Sequence, residues 1–170
     1  MAELNNSLKI LKMMVGLPRS GKSTAALTMG HPIVNPDAIR LALHGQAFVS
    51  DAEAMVWTMA EYMIRSLFLA GHDIVILDAT NITRERRDKF RSKRWIRWIY
   101  ECSTPPEVCS QRARATDKDF LLPIIYDMYL KREAIAIDEL LPNERWYLQY
   151  PNKPEEFFCE YVKGPIDGTS

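Results

Sequence analysis

One segment of the sequence has residue types and spacing suited to holding phosphate groups. Residues 16–23 fit the pattern G-x-x-x-x-G-K-[S/T]. In this pattern, glycines let backbone amides and a helix N-terminus face a β-phosphate, and the Lys serves the β- and γ-oxygens. The hydroxyl after the Lys can hold Mg²⁺. The sequence therefore predicts a nucleoside triphosphate site with contacts from Gly16, Pro18, Ser20, Gly21, Lys22, Ser23 and Thr24.

A carboxylate that could serve the same site follows the apolar run at 74–77. Continuous apolar runs are typical of central parallel strands, and Asp78 stands where such a strand ends. Asp78 and Ser23 are therefore the candidate Mg²⁺ residues, with Asp78 orienting a metal-bound water. The alternative is a strand-end carboxylate that a nearby amide satisfies.

Asp37 and Arg40 form a candidate acceptor site. They stand three residues apart on the first turns of a predicted helix and project to the same side. Asp37 could accept the proton of an attacking hydroxyl, and Arg40 could hold an anionic group of the same substrate. The alternative is an ion pair within the helix, with Asp37 favouring the helix dipole. The sequence lacks the [NT]KxD motif of GTPases, and motor ATPases need longer chains, so a kinase is favoured.

Two closely spaced arginines indicate a lid. Arg112 and Arg114 lie on a helix predicted to begin behind Pro105-Pro106. Carried over the γ-phosphate, such arginines would offset the charge of the transferring group and exclude water. The alternative is an ordinary solvated helix face.

These residues need elements that position them, and strands alternate with helices along the chain. Asn35 and Pro36 predict the N-cap and first residue of a helix. A capping box over 50–53 predicts the start of a long helix that Gly71 closes. Strands are expected at 8–15, 33–34, 74–77, 95–101, 146–149 and 157–162, and helices after Gly21, over 83–94, behind Pro106 and after Pro123.

This alternation predicts an α/β fold in which helices cover both faces of a parallel sheet. Together with the phosphate motif and the lid arginines, it predicts a single P-loop kinase domain over 1–170 with a helical lid. One i, i+4 row on the long helix is interpreted as core packing. That row consists of Met55, Met59, Met63 and Leu67.

Composition excludes several classes of protein. The 170 residues include 22 Lys+Arg and 22 Asp+Glu, so the net charge is zero and a globally basic polyanion binder is excluded. No run is long and apolar enough for a membrane span, and the three cysteines lack CxxC spacing. We therefore expect a cytoplasmic protein without membrane contact.

Charge is nevertheless uneven along the chain. Residues 84–97 hold eight basic and two acidic residues, and much of the compensating acidity lies after 133. The basic stretch is either a solvated helix face or a border of the acceptor site. Trp95 and Trp98, which alternate with arginines, could stack on bases, but a buried strand is the favoured interpretation.

With these motifs in this order, the sequence resembles the P-loop 5′-hydroxyl polynucleotide kinases, the kinase module of phage and bacterial end-healing enzymes. The resemblance spans about residues 10–138 and rests on 16–24, 37–40, 77–81 followed by Arg86-Arg87, and 106–109 leading to Arg112 and Arg114. It implies ATP and Mg²⁺ as cofactors and catalytic roles for Lys22, Asp37 and Arg112. Arg112 and Arg114 would contact ATP, and Asp37, Arg40, Thr80, Asn81 and Arg87 would contact the acceptor.

The sequence departs from that pattern in two respects. Thr116 stands where members often carry a further lid arginine, so Arg114 or Lys118 is the expected substitute. The phosphatase and ligase modules are missing, so a separate ligase or phosphatase is an expected partner, in a bacterial or phage-infected cell.

Three functional hypotheses remain open. The first is a kinase of the 5′-hydroxyl end of RNA or DNA, with a short footprint in keeping with zero net charge. The second is a kinase of a metabolite, nucleotide or sugar nucleotide, because zeta-type toxins and seryl-tRNA kinases share the layout. The third is a nucleotide-sensing module without transfer. The sequence does not decide between RNA and DNA, nor the oligomeric state.

Overall fold

The structure, a computed structural model, describes residues 7–153 and 155–164. Its centre is a six-stranded sheet in the order β2-β3-β1-β4-β5-β6. The first five strands are parallel, and the last pairs antiparallel with its neighbour. The strands are β1 Ile10–Val15, β2 Ile33–Val34, β3 Ile74–Leu77, β4 Ile96–Cys102, β5 Arg145–Gln149 and β6 Phe158–Val162.

Six α-helices connect these strands, and the start of α2 follows its predicted signal closely. The Asn35 side chain accepts the backbone N–H groups of Asp37 and Ala38 at 2.8 and 3.1 Å, as expected of an N-cap. No helix in the described part of the chain is long and apolar enough to span a bilayer. The helices are α1 Lys22–Thr28, α2 Pro36–His44, α3 Glu53–Leu69, α4 Arg84–Asp88, α5 Pro106–Arg114 and α6 Leu122–Lys131.

The sheet is covered on both faces because residues of β1 alternate between two cores. Met13 packs in the cluster that contains the buried side of α3, whereas Met14 packs in the cluster of Ala26 from α1. The prediction of a parallel sheet with helices on both faces is confirmed. Because β1 and β3 are parallel neighbours, the polar residues that follow them meet at one edge of the sheet, where open α/β sheets bind ligands.

The long helix α3 differs from its prediction in two ways. Its buried row is Val56, Ala60, Ile64 and Phe68, one position later than expected, while Met55 and Met63 are exposed. The predicted core row is therefore correct only in part. Met59 and Leu67 are half-buried and pack against the core, whereas Met55 and Met63 lie on the surface, where a flexible apolar side chain is tolerated. The expected capping box also fails: residues 50–52 form a 3₁₀ turn, and the Glu53 carboxylate binds Arg40 instead.

The basic stretch 84–97 is not one solvated helix, since α4 ends at Asp88. Arg87 and Arg97 are fully buried. Arg87 binds both carboxylate oxygens of Glu139 at 2.8 and 2.9 Å, and Arg97 binds both of Glu144 at 2.7 Å. Two of the eight basic charges in this stretch are thus neutralised inside the fold. Trp95 is also buried, which supports the core interpretation.

Candidate active site

The phosphate loop lies between the end of β1 and the start of α1. The Gly16 N–H donates to the Thr80 carbonyl at 3.0 Å, which ties the loop to the segment after β3. A Cβ at position 16 would lie 2.7 Å from Ser20 Oγ and 2.9 Å from the Cys102 carbonyl. The close approach explains why the first motif position is glycine. Gly21 takes a φ of 103° at the N-cap of α1.

Lys22 lies under this loop. Its Nζ donates to the Leu17 carbonyl at 2.9 Å, and the residue is 8% exposed. Burial lowers the pKa of Lys22, and the nearby carboxylates of Asp78 and Asp37 oppose that shift. A phosphate group bound in the loop would give this buried ammonium a strong anionic partner.

A cleft of about 980 Å³ opens in front of the loop. Its inner end is formed by the loop and the start of α1, and its outer end by the β5–β6 connection. The mixture of polar backbone at one end and aromatic side chains at the other suits a nucleotide. The cleft is lined by residues 19–25, Thr28, Met29, Thr104, Pro105, Val108, Arg112, Ala115, Thr116, 149–151, Glu155 and Phe157.

The two residues predicted to hold Mg²⁺ differ in their surroundings: Ser23 lines the cleft, and Asp78, at the end of β3, does not. Asp78 is 5% exposed, and its Oδ2 accepts the Asn35 side-chain amide at 3.1 Å. Ser23 stands exposed on the first turn of α1. The described residues hold no cluster of three or more metal-ligating side chains. A hydroxyl and a carboxylate nevertheless fit Mg²⁺, which prefers oxygen ligands and commonly keeps waters and phosphate oxygens.

The predicted acceptor pair is joined by a residue that sequence reasoning missed. Arg40 binds Asp37 through Nη1 and binds both oxygens of Glu53 through Nε and Nη2, at 2.6 and 2.7 Å. The Glu53 carboxylate raises the pKa of Arg40, and Arg40 in turn lowers that of Glu53. The Asp37 side chain remains 80% exposed. Arg40 is therefore fixed in place, while Asp37 stays accessible.

The lid helix α5 and the phosphate loop exchange hydrogen bonds, an arrangement we call the clasp. Arg112 Nη1 donates to the carbonyls of Arg19 and Ser20, both at 3.2 Å. In return, Arg19 Nη2 donates to Thr116 Oγ1 at 2.9 Å and to the Arg112 carbonyl at 3.3 Å. Arg19 has a φ of 65°, in the left-handed region. The lid arginine thus lies against the loop that it was predicted to serve.

The two expected substitutes for a further lid arginine lie elsewhere. Arg114 and Lys118 are exposed and are not among the residues that line the cleft. Arg112 and Arg114 are two positions apart on a helix, so only one of them can face the loop. Arg112, and not Arg114, lies against the loop, so contact of Arg114 with the nucleotide stays a prediction, and Arg19 is the arginine that reaches Thr116.

The acceptor residues predicted after β3 are buried or half-buried, and each makes contacts within the protein. Asn81 is 1% exposed and donates to the Met14 carbonyl at 2.8 Å, so it braces the phosphate loop. Arg87 is fully buried on Glu139, so the prediction that it contacts substrate is corrected. Thr80 is half-buried and holds Gly16 through its carbonyl. Arg86, next to Arg87, turns outward instead and stacks on Trp57.

Several solved structures share this fold at low sequence identity. A gluconokinase from Sinorhizobium meliloti 1021 superposes with a TM-score of 0.54 at 16% identity, covering 82% of this chain and 84% of that one. The Pnkp1/Rnl/Hen1 complex contains a chain with a TM-score of 0.55 at 19% identity; the match covers 98% of this chain and 50% of that one. The PezAT toxin-antitoxin system of Streptococcus pneumoniae gives 0.52 at 14% identity, covering 93% and 75%.

These identities support the fold alone. No curated protein matches the sequence. The model of the AAA_33 family, described as an AAA domain, matches residues 11–119. This match contains the phosphate loop, the acceptor pair and the lid arginine, and it covers more than half of the chain. The chain therefore belongs to the AAA_33 family and has the fold of the P-loop kinases.

Proposed function

We propose that this protein is an ATP- and Mg²⁺-dependent kinase that transfers the γ-phosphoryl group to the 5′-hydroxyl end of RNA or DNA. The observation that carries the proposal is the exposed Asp37 carboxylate beside a fixed guanidinium, at the sheet edge that also holds the phosphate loop. A base next to an anion-binding group suits an acceptor whose hydroxyl has a phosphate nearby. The resemblance to polynucleotide kinases adds support.

In the proposed mechanism, Asp37 accepts the proton of the 5′-hydroxyl as the oxygen attacks the γ-phosphorus. The bond between the γ-phosphorus and the bridging oxygen breaks, and ADP leaves. Lys22 and Arg112 offset the negative charge on the phosphoryl oxygens, and Arg40 holds the phosphate next to the reacting hydroxyl. Bound Mg²⁺, held by Ser23 and through water by Asp78, would neutralise charge on the β- and γ-phosphates.

One observation favours a second candidate, a kinase of a small metabolite. Arg40 already binds two carboxylates, so it adds little net positive charge to the acceptor site. A small acceptor held mainly by hydrogen bonds would suit such a site. Gluconokinase, one of the structural neighbours, is named for a small-molecule substrate.

A transfer assay with γ-labelled ATP separates the two candidates. The panel contains 5′-hydroxyl RNA and DNA oligonucleotides, 3′-mononucleotides, nucleosides and sugar acids. We expect label on the oligonucleotides. Label that appears only on small acceptors contradicts the proposal and supports the second candidate, and ATP binding without any labelled product supports a nucleotide-sensing module.

Asp37→Asn tests the mechanism in the same assay. We expect transfer to fall by at least about a hundredfold, the lower range for general base catalysis, while ADP binding by calorimetry is retained. Asp51→Asn is the matched control, because Asp51 is also exposed and lies near the start of α3. An Asp37→Asn variant with nearly wild-type transfer would show that Asp37 is not the base.

A further inference from the structure

Most basic side chains of the stretch 84–97 form ion pairs with carboxylates. Within the described part of the chain, three of its eight basic side chains have no carboxylate within 4.0 Å. These three are Arg86, Lys93 and Arg94. Lys93 and Arg94 are exposed and precede β4, so they lie toward the sheet edge opposite the phosphate loop. Arg86 alone follows the carboxyl end of β3, beside the acceptor pair.

Arg86 is held rigidly despite having no ion pair. Its guanidinium carbon lies 3.8 Å from the centroid of the Trp57 ring, and the residue is half-buried. Stacking on Trp fixes the plane of the guanidinium and leaves its N–H edges available. Partial burial lowers the pKa of Arg86, and Glu85 and Glu53 oppose that shift. The arrangement would therefore gain from an anion at the N–H edges.

Arg86 and Arg40 share the same aromatic ring. The Arg40 guanidinium lies 5.9 Å from the Trp57 centroid, and Arg40 also binds Asp37. The contacts therefore run in the order Asp37, Arg40, Trp57, Arg86. This order places the candidate base at one end and the uncompensated cation at the other.

Charge also points to Arg86. Arg40 is matched by the two carboxylates of Asp37 and Glu53, so these three groups together carry one negative charge. An acceptor phosphate approaching them alone would be repelled. With Arg86 included, the net charge of the group is zero, and the Arg86 guanidinium offers N–H donors that no carboxylate occupies.

We propose that Arg86, stacked on Trp57, forms a second phosphate subsite for the acceptor strand. It binds the phosphate one nucleotide beyond the phosphate on Arg40, and it therefore selects acceptors with at least two phosphates. The inference rests on the proposed function, since it assigns part of the same acceptor site. The preferred ligand is a 5′-hydroxyl dinucleotide or longer strand, which should bind more tightly than a 3′-mononucleotide that reaches Arg40 alone.

The test compares two acceptors that differ by one nucleotide. These are a nucleoside 3′-phosphate and a dinucleotide with a 3′-phosphate. Arg86→Met keeps an apolar side chain over Trp57 but removes the charge, and Lys93→Met is the control with the same change in net charge at the far edge. We expect Arg86→Met to raise KM about tenfold for the dinucleotide, the effect of one lost charge-assisted hydrogen bond. KM for the mononucleotide should change by less than about twofold, and Lys93→Met should change neither.

The outcomes are separable. Equal rises for both acceptors, or no rise for either, overturn the second subsite. Binding of a labelled 5′-hydroxyl hexanucleotide in the presence of ADP, followed by fluorescence anisotropy, tests the subsite without transfer. There, Arg86→Met should weaken binding and lower the slope of log affinity against log salt by about 0.7.

Failure of the proposed function gives a different pattern. A wild-type protein that phosphorylates no 5′-hydroxyl end contradicts the proposed function. The anisotropy titration then tests the subsite independently, because it measures binding without transfer. Equal hexanucleotide affinity in wild type and Arg86→Met overturns it, as does a wild-type protein that binds no hexanucleotide. Matching thermal unfolding curves for Arg86→Met and wild type exclude misfolding as the cause of any loss.

Discussion

Thr116→Val is the sharpest test of the clasp between the lid and the phosphate loop. Thr116 Oγ1 accepts from Arg19 at 2.9 Å and donates to the Arg112 carbonyl at 3.1 Å. Valine has nearly the same shape but can make neither bond, whereas Thr116→Ser keeps the hydroxyl. Thr116→Val should therefore loosen the contact between the end of α5 and the phosphate loop, and Thr116→Ser should not.

The size of the effect follows from the bonds that are lost. A hydrogen bond to a charged donor contributes about 1.5–3 kcal/mol. Thr116 is exposed, so solvent reduces this to about 1 kcal/mol, which corresponds to about a fivefold change in an equilibrium constant. Arg19 keeps its second bond, to the Arg112 carbonyl at 3.3 Å, so the clasp is weakened and not abolished.

Two measurements report the effect. The dissociation constant of ADP, measured by calorimetry, should rise about fivefold in Thr116→Val, because Arg112 is held less firmly over the loop. Amide hydrogen exchange at the end of α5 should accelerate by a similar factor. If Thr116→Val matches both Thr116→Ser and wild type in affinity and exchange, the clasp does not couple the lid to the nucleotide site.

Two further predictions concern anchors that lie away from the nucleotide. Glu53→Gln should loosen the anchored arginine of the acceptor site and raise the acceptor KM about tenfold, with ADP affinity unchanged; an unchanged KM in steady-state kinetics would contradict the positioning role. Arg97→Met should lower the free energy of unfolding in urea by about 3–5 kcal/mol, because it leaves Glu144 charged and buried. The double variant Arg97→Met/Glu144→Leu should recover most of that loss, and failure to recover would argue against the unpaired charge as its cause.

The parts of the fold with strong local signals could be predicted from the sequence. The phosphate loop is defined by glycine, lysine and hydroxyl at fixed spacing, and the Asn35 cap needs only a side chain that reaches two nearby amides. The apolar run of β3 identified a buried strand for a similar reason. In each case the energetic cause lies within a few residues of the chain.

The predictions that the structure did not confirm depend mostly on which side of a helix faces the core. Arg86 and Arg87 are adjacent, and only the packing of α4 decides which of them turns inward to Glu139. The same uncertainty moved the core row of α3 by one position. Glu53 is predicted to cap its own helix but binds Arg40, which lies on another helix. Such contacts are tertiary and leave no local pattern in the sequence.

The buried arginine pairs separate the unit that folds from the segment that defines the family. The family match ends at residue 119, but Arg87 and Arg97 lie inside that segment, and their carboxylate partners, Glu139 and Glu144, lie beyond it. A chain cut after the match would lose both counterions together with β5, which pairs with β4, and we expect it not to fold stably. The shortest piece expected to fold independently therefore reaches past residue 144. Domain boundaries drawn around the phosphate loop, the acceptor pair and the lid arginine alone would exclude the carboxylates that neutralise the two core arginines.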